Sequence, residues 1–277
     1  MTPPPTTATS NELLRSCNVP SLRRHYPVQV QTVGGIWSPP SQPKQVGLPL
    51  TAILARRSCQ TADVDFRRRR LLAAHLYLVC DDRPDCFLTA ALRGGVDIVQ
   101  LRMKDGDDDA ILAAARRFRA ACDAHGALFI LNDRPDLAHE ADADGVHVGQ
   151  EDAAVAQARE LVGPDRVVGL STHSPAQIDA SAGTDVDYIG VGPVHATPTK
   201  PGRPAVGLEL VRYAASNAAV PFFAIGGITT ANVEDVAAAG AERIAVVRAL
   251  TEAEDPARIA TELRSAVDRA GARVGST

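Results

Sequence analysis

Residues 129–152 read FILNDRPDLAHEADADGVHVGQED. Two short apolar runs, Leu128–Leu131 and Gly145–Val148, each pass straight into polar residues, the first into Asn132-Asp133 and the second into Gln150-Glu151-Asp152. If the runs are neighbouring parallel strands, Asp133 and Asp152 leave the same edge of one sheet. Two carboxylates held ~6 Å apart repel by about 3 kcal/mol at an effective dielectric of 20. A divalent cation turns that repulsion into binding energy, and oxygen ligands suit Mg²⁺. A second reading makes both residues helix caps, Asp133 before Pro135 and Asp152 before AAVAQARELV. The rest of the chain has to decide between metal ligands and caps.

Outward from that stretch the same pattern repeats. Apolar, β-branched runs occur at 76–80, 97–103, 127–132, 144–149, 166–171, 187–192, 220–226 and 243–249, with Ala-rich segments of helical spacing between them. Glycines at 94, 126, 163, 183 and 240 close most of those segments and are expected as left-handed stops. A short helix is expected over about 135–141. Strands that are continuous apolar runs and alternate with helices form a parallel sheet covered by helices. Eight such units in about 200 residues predict an α/β fold of the closed (β/α)8 TIM-barrel kind. An open doubly wound sheet would want a glycine fingerprint after its first strand, where this chain has CDDRPD.

The chain has 277 residues and a net charge of −4, which hides a break in composition. Residues 1–70 carry ten Lys/Arg against three acids, +7, and the remainder 19 against 30, −11. Before residue 66 no strand or helix period is sustained, and Pro, Ser and Thr are abundant. Such a segment buries too little apolar surface to offset its ordering entropy. It is expected to be a disordered or dispensable N-terminal extension over 1–70, with the barrel over 71–277. An over-extended reading frame and an organelle transit peptide are the alternatives, the prolines weighing against the latter. The Arg67–Arg70 run reads as a solvated lead-in to a helix rather than a nucleic-acid patch. The five cysteines form no paired CxxC pattern and read as reduced thiols of a cytoplasmic protein; no apolar run is long enough to span a membrane.

In a barrel the chemistry belongs at the carboxyl ends of the strands. The second strand ends in Gln100-Leu101-Arg102-Met103-Lys104, and alternation sets Gln100, Arg102 and Lys104 on the inner side, with Leu101 and Met103 toward the helices. Two cations and an amide at a barrel mouth want an anion. Strands three to five bring Asn132, Asp133, Asp152 and Ser171-Thr172-His173, and the sixth runs into GPVHATPTKPGRP with Thr197, Thr199 and Lys200. The seventh ends in Gly226-Gly227 and the eighth in Val247-Arg248, the glycine loop and helix start of a barrel phosphate site. His173 and His195 are candidate substrate contacts, with packing or loop structure as the other reading.

Taken in order, QLRMK, LNDRPDLA, ADGVHVGQED, GLSTHS, YIGVGPVHATPTK, AIGGIT and VVRAL resemble thiamine-phosphate synthases over about residues 74–270. The resemblance implies a transferase that joins 4-amino-2-methyl-5-(diphosphomethyl)pyrimidine to hydroxyethylthiazole phosphate, releasing pyrophosphate by a dissociative substitution. It implies pyrimidine-diphosphate contacts at Gln100, Arg102, Lys104, Asn132 and Lys200, with Ser171 near the pyrimidine. Arg102, Lys104, Lys200 and Ser171 are the ones implied to act in catalysis. It further implies Mg²⁺ at Asp133 and Asp152, and a thiazole-phosphate site at Thr197, Thr199, Gly227, Val247 and Arg248. The loop reads HAT at 195–197, where the family often shows an aromatic and a proline. Partners are expected to be small molecules, without nucleic acid or membrane, in a possible homo-oligomer. Two rivals remain: a relative that only isomerises the thiazole phosphate, which needs no diphosphate clamp, and a phosphate-sensing barrel without turnover.

Overall fold

The structure, a computed structural model, describes residues 66–150, 155–197 and 204–274. Expectations for residues 1–65, and those for Asp152, Thr199 and Lys200, lie outside the described residues. A first helix α1 covers 66–73. The strands are β1 Leu76–Cys80, β2 Ile98–Leu101, β3 Leu128–Asn132, β4 Gly145–Val148, β5 Val167–Thr172, β6 Tyr188–Val191, β7 Phe222–Ile225 and β8 Ile244–Val246. They pair in parallel in sequence order and β8 closes on β1, giving the expected (β/α)8 barrel. The outer helices are α2 Asp85–Arg93, α3 Asp108–His125, α4 Val155–Val162, α5 Pro175–Ser181, α6 Gly207–Asn217, α7 Val233–Ala238, α8 Arg248–Thr251 and α9 Pro256–Val274.

Strand alternation divides the core in two. Leu76, Leu78 and Cys80 of β1, Val99 and Leu101 of β2, and Val146 and Val148 of β4 pack toward the helices. Tyr77, Val79, Ile98, Leu128, Ile130, Val167, Tyr188 and Phe223 fill the barrel interior, joined from below by Leu71 and Ala74. Leu101 and Met103 lie on the helix side and Gln100 is buried, as the alternation of QLRMK requires.

The amino-terminal mouth is built by a repeated device. Asp97, Asp144 and Asp187 stand one residue before β2, β4 and β6. Each accepts backbone N–H bonds from the start of the preceding strand: Asp97 from His75 and Leu76, Asp144 from Phe129, Asp187 from Val168. Each is also paired with arginine, Asp97 with Arg264 (2.7 Å), Asp144 with Arg119 (2.7 Å) and Arg67 (3.0 Å), and Asp187 with Arg159 (2.6 Å) and Arg68 (2.8 Å). Arg67 and Arg68 therefore depart from the expected solvated run. They anchor α1 to the mouth because they meet carboxylates that also accept backbone donors.

Two further expectations need correction. Gly94 has a right-handed φ of −75°, the left-handed stop there is Gly95 at φ 104°, and Gly183 is not left-handed either. Gly94 is small for another reason: a Cβ there would run into the Ala257 backbone and the Ala260 side chain of α9. Between β3 and β4 there is no α-helix over 135–141 but a string of turns, with Leu137 and Ala138 donating to the carbonyls three residues back. Only residues 133–144 connect those strands, close to the shortest length a helical crossover needs.

Candidate active site

At the carboxyl end of the barrel a cavity of about 1150 Å³, counting space open to solvent, is lined by residues from all eight strands. It brings together eight of the residues expected from sequence: Gln100, Arg102, Asn132, Ser171, Thr197, Gly227, Val247 and Arg248. Arg102 is held in register because its N–H donates to the Cys80 carbonyl (2.8 Å), which continues the β1–β2 ladder one residue past the strand. Lys104 is exposed, two residues farther out, and does not line the cavity. Neither Arg102 nor Lys104 has an ion-pair or hydrogen-bonding side-chain partner among the described residues.

Asp133 follows β3 next to Asn132, whose amide donates to its carboxylate (2.6 Å). Its backbone is left-handed, φ 56°, and its N–H donates to the His147 carbonyl (2.9 Å). Asp and Asn tolerate that conformation better than other L-residues. Since turns and not a helix follow, Asp133 does not serve as a helix cap. Among the described residues no cluster of three or more His, Cys, Asp or Glu forms a closed metal cage. A single carboxylate with an amide beside it fits a Mg²⁺ site, since Mg²⁺ keeps several waters and takes only one or two carboxylates from the protein.

The opposite side of the cavity is the loop after β7 and the start of α8. Gly226 and Gly227 both have positive φ, 109° and 64°, and the loop carries backbone close to the cavity. Arg248 opens α8 rather than ending a strand, since β8 stops at Val246. Its guanidinium lies 3.8 Å from Glu252, a loose pair. His173 lines the cavity and its Nδ1 is 2.5 Å from the Gly192 carbonyl, beside the cis Gly192-Pro193 bond. His195 does not line the cavity, and its buried Nε2 has no hydrogen-bond partner among the described residues.

The cavity floor holds a chain that sequence reading did not single out. Gln100 Nε2 donates to the Tyr77 hydroxyl (2.6 Å), and the Tyr77 and Tyr188 hydroxyls lie 2.9 Å apart. The Tyr188 hydroxyl is 3.2 Å from His147 Nδ1, and His147 Nε2 is 2.9 Å from Ser171 Oγ. Phe223 meets both tyrosine rings edge-on, at 5.3 and 5.6 Å between centroids. Burial pushes both phenols well above their ordinary range, so both hydroxyls keep their hydrogens. Alternation carried the signal. In GVHV, LYLVC and YIGV the aliphatic neighbours face the helices, which leaves His147, Tyr77 and Tyr188 facing inward. The described cysteines are free thiols; none lines the cavity, and burial pushes Cys122 up to about 12.

With this geometry in place, comparison with known proteins decides the family. The model of the family described as thiamine monophosphate synthase matches residues 76–250. The chain belongs to that family. A thiamine-phosphate synthase from Thermobifida fusca is 53% identical over 205 residues, which cover 71% of this chain and 94% of that one. One from Nostoc punctiforme is 48% identical over 205 residues, covering 73% of this chain but 58% of that one. The chain thus spans little more than half the length of the Nostoc relative. Among solved structures, a thiamine phosphate pyrophosphorylase from Pyrococcus furiosus is 32% identical, with a TM-score of 0.66, covering 73% of this chain and 98% of that one. No helix among the described residues is long and apolar enough to cross a membrane.

Proposed function

We propose that the protein is a thiamine-phosphate synthase: a transferase that joins the pyrimidine diphosphate to hydroxyethylthiazole phosphate and releases pyrophosphate. The observation that carries this reading is that both halves of the expected two-substrate map line one cavity. Gln100 and Arg102 come from β2 and its end, Asn132 from β3 and Ser171 from β5, and Thr197, Gly227, Val247 and Arg248 from the segments after β6, β7 and β8.

The chemistry asks little acid–base work of the protein. The thiazole ring nitrogen has no proton to lose, and its lone pair forms the new bond to the pyrimidine methylene carbon. The carbon–oxygen bond breaks, and the diphosphate leaves with that electron pair. The protein then holds two partners in line and meets charge on the leaving group, by positioning and preorganised electrostatics. Arg102 and Lys104 supply positive charge toward the diphosphate, joined by Lys200, and Gln100, Asn132 and Ser171 orient the pyrimidine. The thiazole phosphate takes backbone N–H groups of the glycine loop and the start of α8, beside Arg248, with Thr199 as a further contact. Mg²⁺ would be held by Asp133 and Asp152; when bound, it supplies charge that offsets the diphosphate.

Pyrophosphate release, followed with both substrates and Mg²⁺ and with each omitted in turn, tests this. Release that needs both substrates and yields thiamine phosphate supports the reading. Binding without turnover favours a phosphate-sensing barrel and overturns it. Acceptance of thiazole phosphate alone, with its isomerisation, overturns it in favour of the isomerase.

A further inference from the structure

The chain on the cavity floor can be assigned a direction by counting hydrogens. A tyrosine hydroxyl has one hydrogen to donate. Tyr77 accepts from Gln100 Nε2, so its own hydrogen has one remaining partner, the Tyr188 oxygen. Any other use leaves a hydroxyl hydrogen unsatisfied at a residue only 2% exposed, which is costly. Tyr188 must then donate to His147 Nδ1, and the ring hydrogen of His147 sits on Nε2 and is donated to Ser171 Oγ. Ser171 is left with its hydrogen to give to the cavity it lines. The opposite direction requires Gln100 to turn its amide oxygen toward Tyr77. In that arrangement Ser171 donates to His147 and offers lone pairs instead.

We propose that Tyr77 and Tyr188 are positioning residues that tie the Gln100 amide to the Ser171 hydroxyl and set the direction of the chain, Gln100 giving a hydrogen at one end and Ser171 keeping one to give at the other. In that direction His147 is an acceptor at Nδ1 and a donor at Nε2. Gln100 keeps its amide oxygen as an acceptor, and Ser171 offers a donor. Together they suit a flat heteroaromatic ring that presents an amino group to one end and a ring nitrogen to the other. The identity of that ring rests on the pyrimidine reading above; the direction of the chain does not. The tyrosines and Phe223 also fix the spacing of the two ends, since their rings pack edge to face under the cavity.

Nitrogen-15 NMR of the imidazole-labelled protein tests the direction without any variant, His147 being assigned by loss of its signals in His147→Gln. A hydrogen on Nε2 and none on Nδ1 is the expected result; a hydrogen on Nδ1 overturns the proposal. Kinetics test the coupling. Tyr188→Phe, which keeps the ring, should raise the KM for pyrimidine diphosphate about fivefold to tenfold, the size of one hydrogen bond. The KM for thiazole phosphate should stay within about twofold of the parent's. Tyr188→Phe added to Ser171→Ala should do little beyond Ser171→Ala alone, because both cut one chain. Full additivity, or equal rises in both constants, overturns the proposal. If the parent does not turn over the two substrates the functional reading fails, and the NMR result still decides the chain. If the parent turns over and Nδ1 carries the hydrogen, the chain fails alone.

Discussion

At the amino-terminal mouth Asp97, Asp144 and Asp187 each hold arginine and backbone N–H together. At the carboxyl-terminal mouth Arg102 and Lys104 have no ion-pair partner among the described residues, and Asp133 sits in a left-handed backbone after the adjacent strand β3. The side chains of Asp144 and Asp187 are only 11% and 10% exposed, so their charges are largely withdrawn from water and depend on those partners. One end of the barrel therefore uses its charges to hold strands and helices in register. At the other, Arg102 and Lys104 have no ion-pair partner among the described residues, which suits anionic ligands arriving from solvent. The division follows the general one for this architecture, stability below and chemistry above.

The largest effect that could break this contrast is expected at Arg102. Arg102→Ala should lower turnover at least ~100-fold, since removing one preorganised charge stabiliser commonly costs 10²–10³ in rate. Its melting temperature should stay within about 2 °C of the parent's, because a surface change away from caps, pairs and core moves stability by about 0.5 kcal/mol. A large fall in melting temperature with unchanged turnover would place Arg102 with the structural arginines.

Truncation sharpens the lower half of the comparison. A chain starting at Phe66 should melt within about 2 °C of the full chain and turn over equally well, as a dispensable extension requires. A chain starting at Leu71 loses the Arg67 and Arg68 pairs. At 20% and 40% exposure those pairs are partly screened, so a loss of about 1–2 kcal/mol, or roughly 3–8 °C, is expected. Equal melting of the two would show that α1 is only a lead-in.

The smallest effect is expected at Arg248. Arg248→Ala should raise the KM for thiazole phosphate by about threefold to tenfold and leave that for pyrimidine diphosphate unchanged. Backbone N–H groups of the glycine loop remain after the substitution and limit the damage. Equal rises in both constants would dissolve the two-sided map of the cavity.

The strands were legible because each is a continuous apolar run flanked by punctuation, and all eight fall within a few residues of their expected positions. Alternation in QLRMK also set Gln100 and Arg102 inside and Leu101 and Met103 toward the helices, though Lys104, expected inside, is exposed and does not line the cavity. What stayed hidden depended on distance in space rather than pattern in sequence. Nothing local in RRRR shows that Asp144 and Asp187, more than seventy residues away, will receive two of its members. Gly94 looked like a helix stop because its true reason, the close approach of α9, comes from the far end of the chain. Tyr77 and Tyr188 read as core because they are core; their hydroxyls gain a role only when β1 and β6 face each other across the barrel.

A matched pair of substitutions at the two mouths tests the contrast most directly: Asp133→Asn and Asp144→Asn, each assayed for melting temperature and turnover on the same samples. Asn tolerates the left-handed backbone of residue 133 and still accepts an N–H bond at residue 144, so each change removes mainly charge. Asp133→Asn should melt like the parent, turn over at least ~100-fold more slowly and require more Mg²⁺. Asp144→Asn leaves Arg67 and Arg119 short of their counter-charge. It should lose about 2–3 kcal/mol, a fall of roughly 5–10 °C, and keep near-parental turnover while folded. Normal turnover in Asp133→Asn, or a collapse of turnover without loss of stability in Asp144→Asn, would contradict the account.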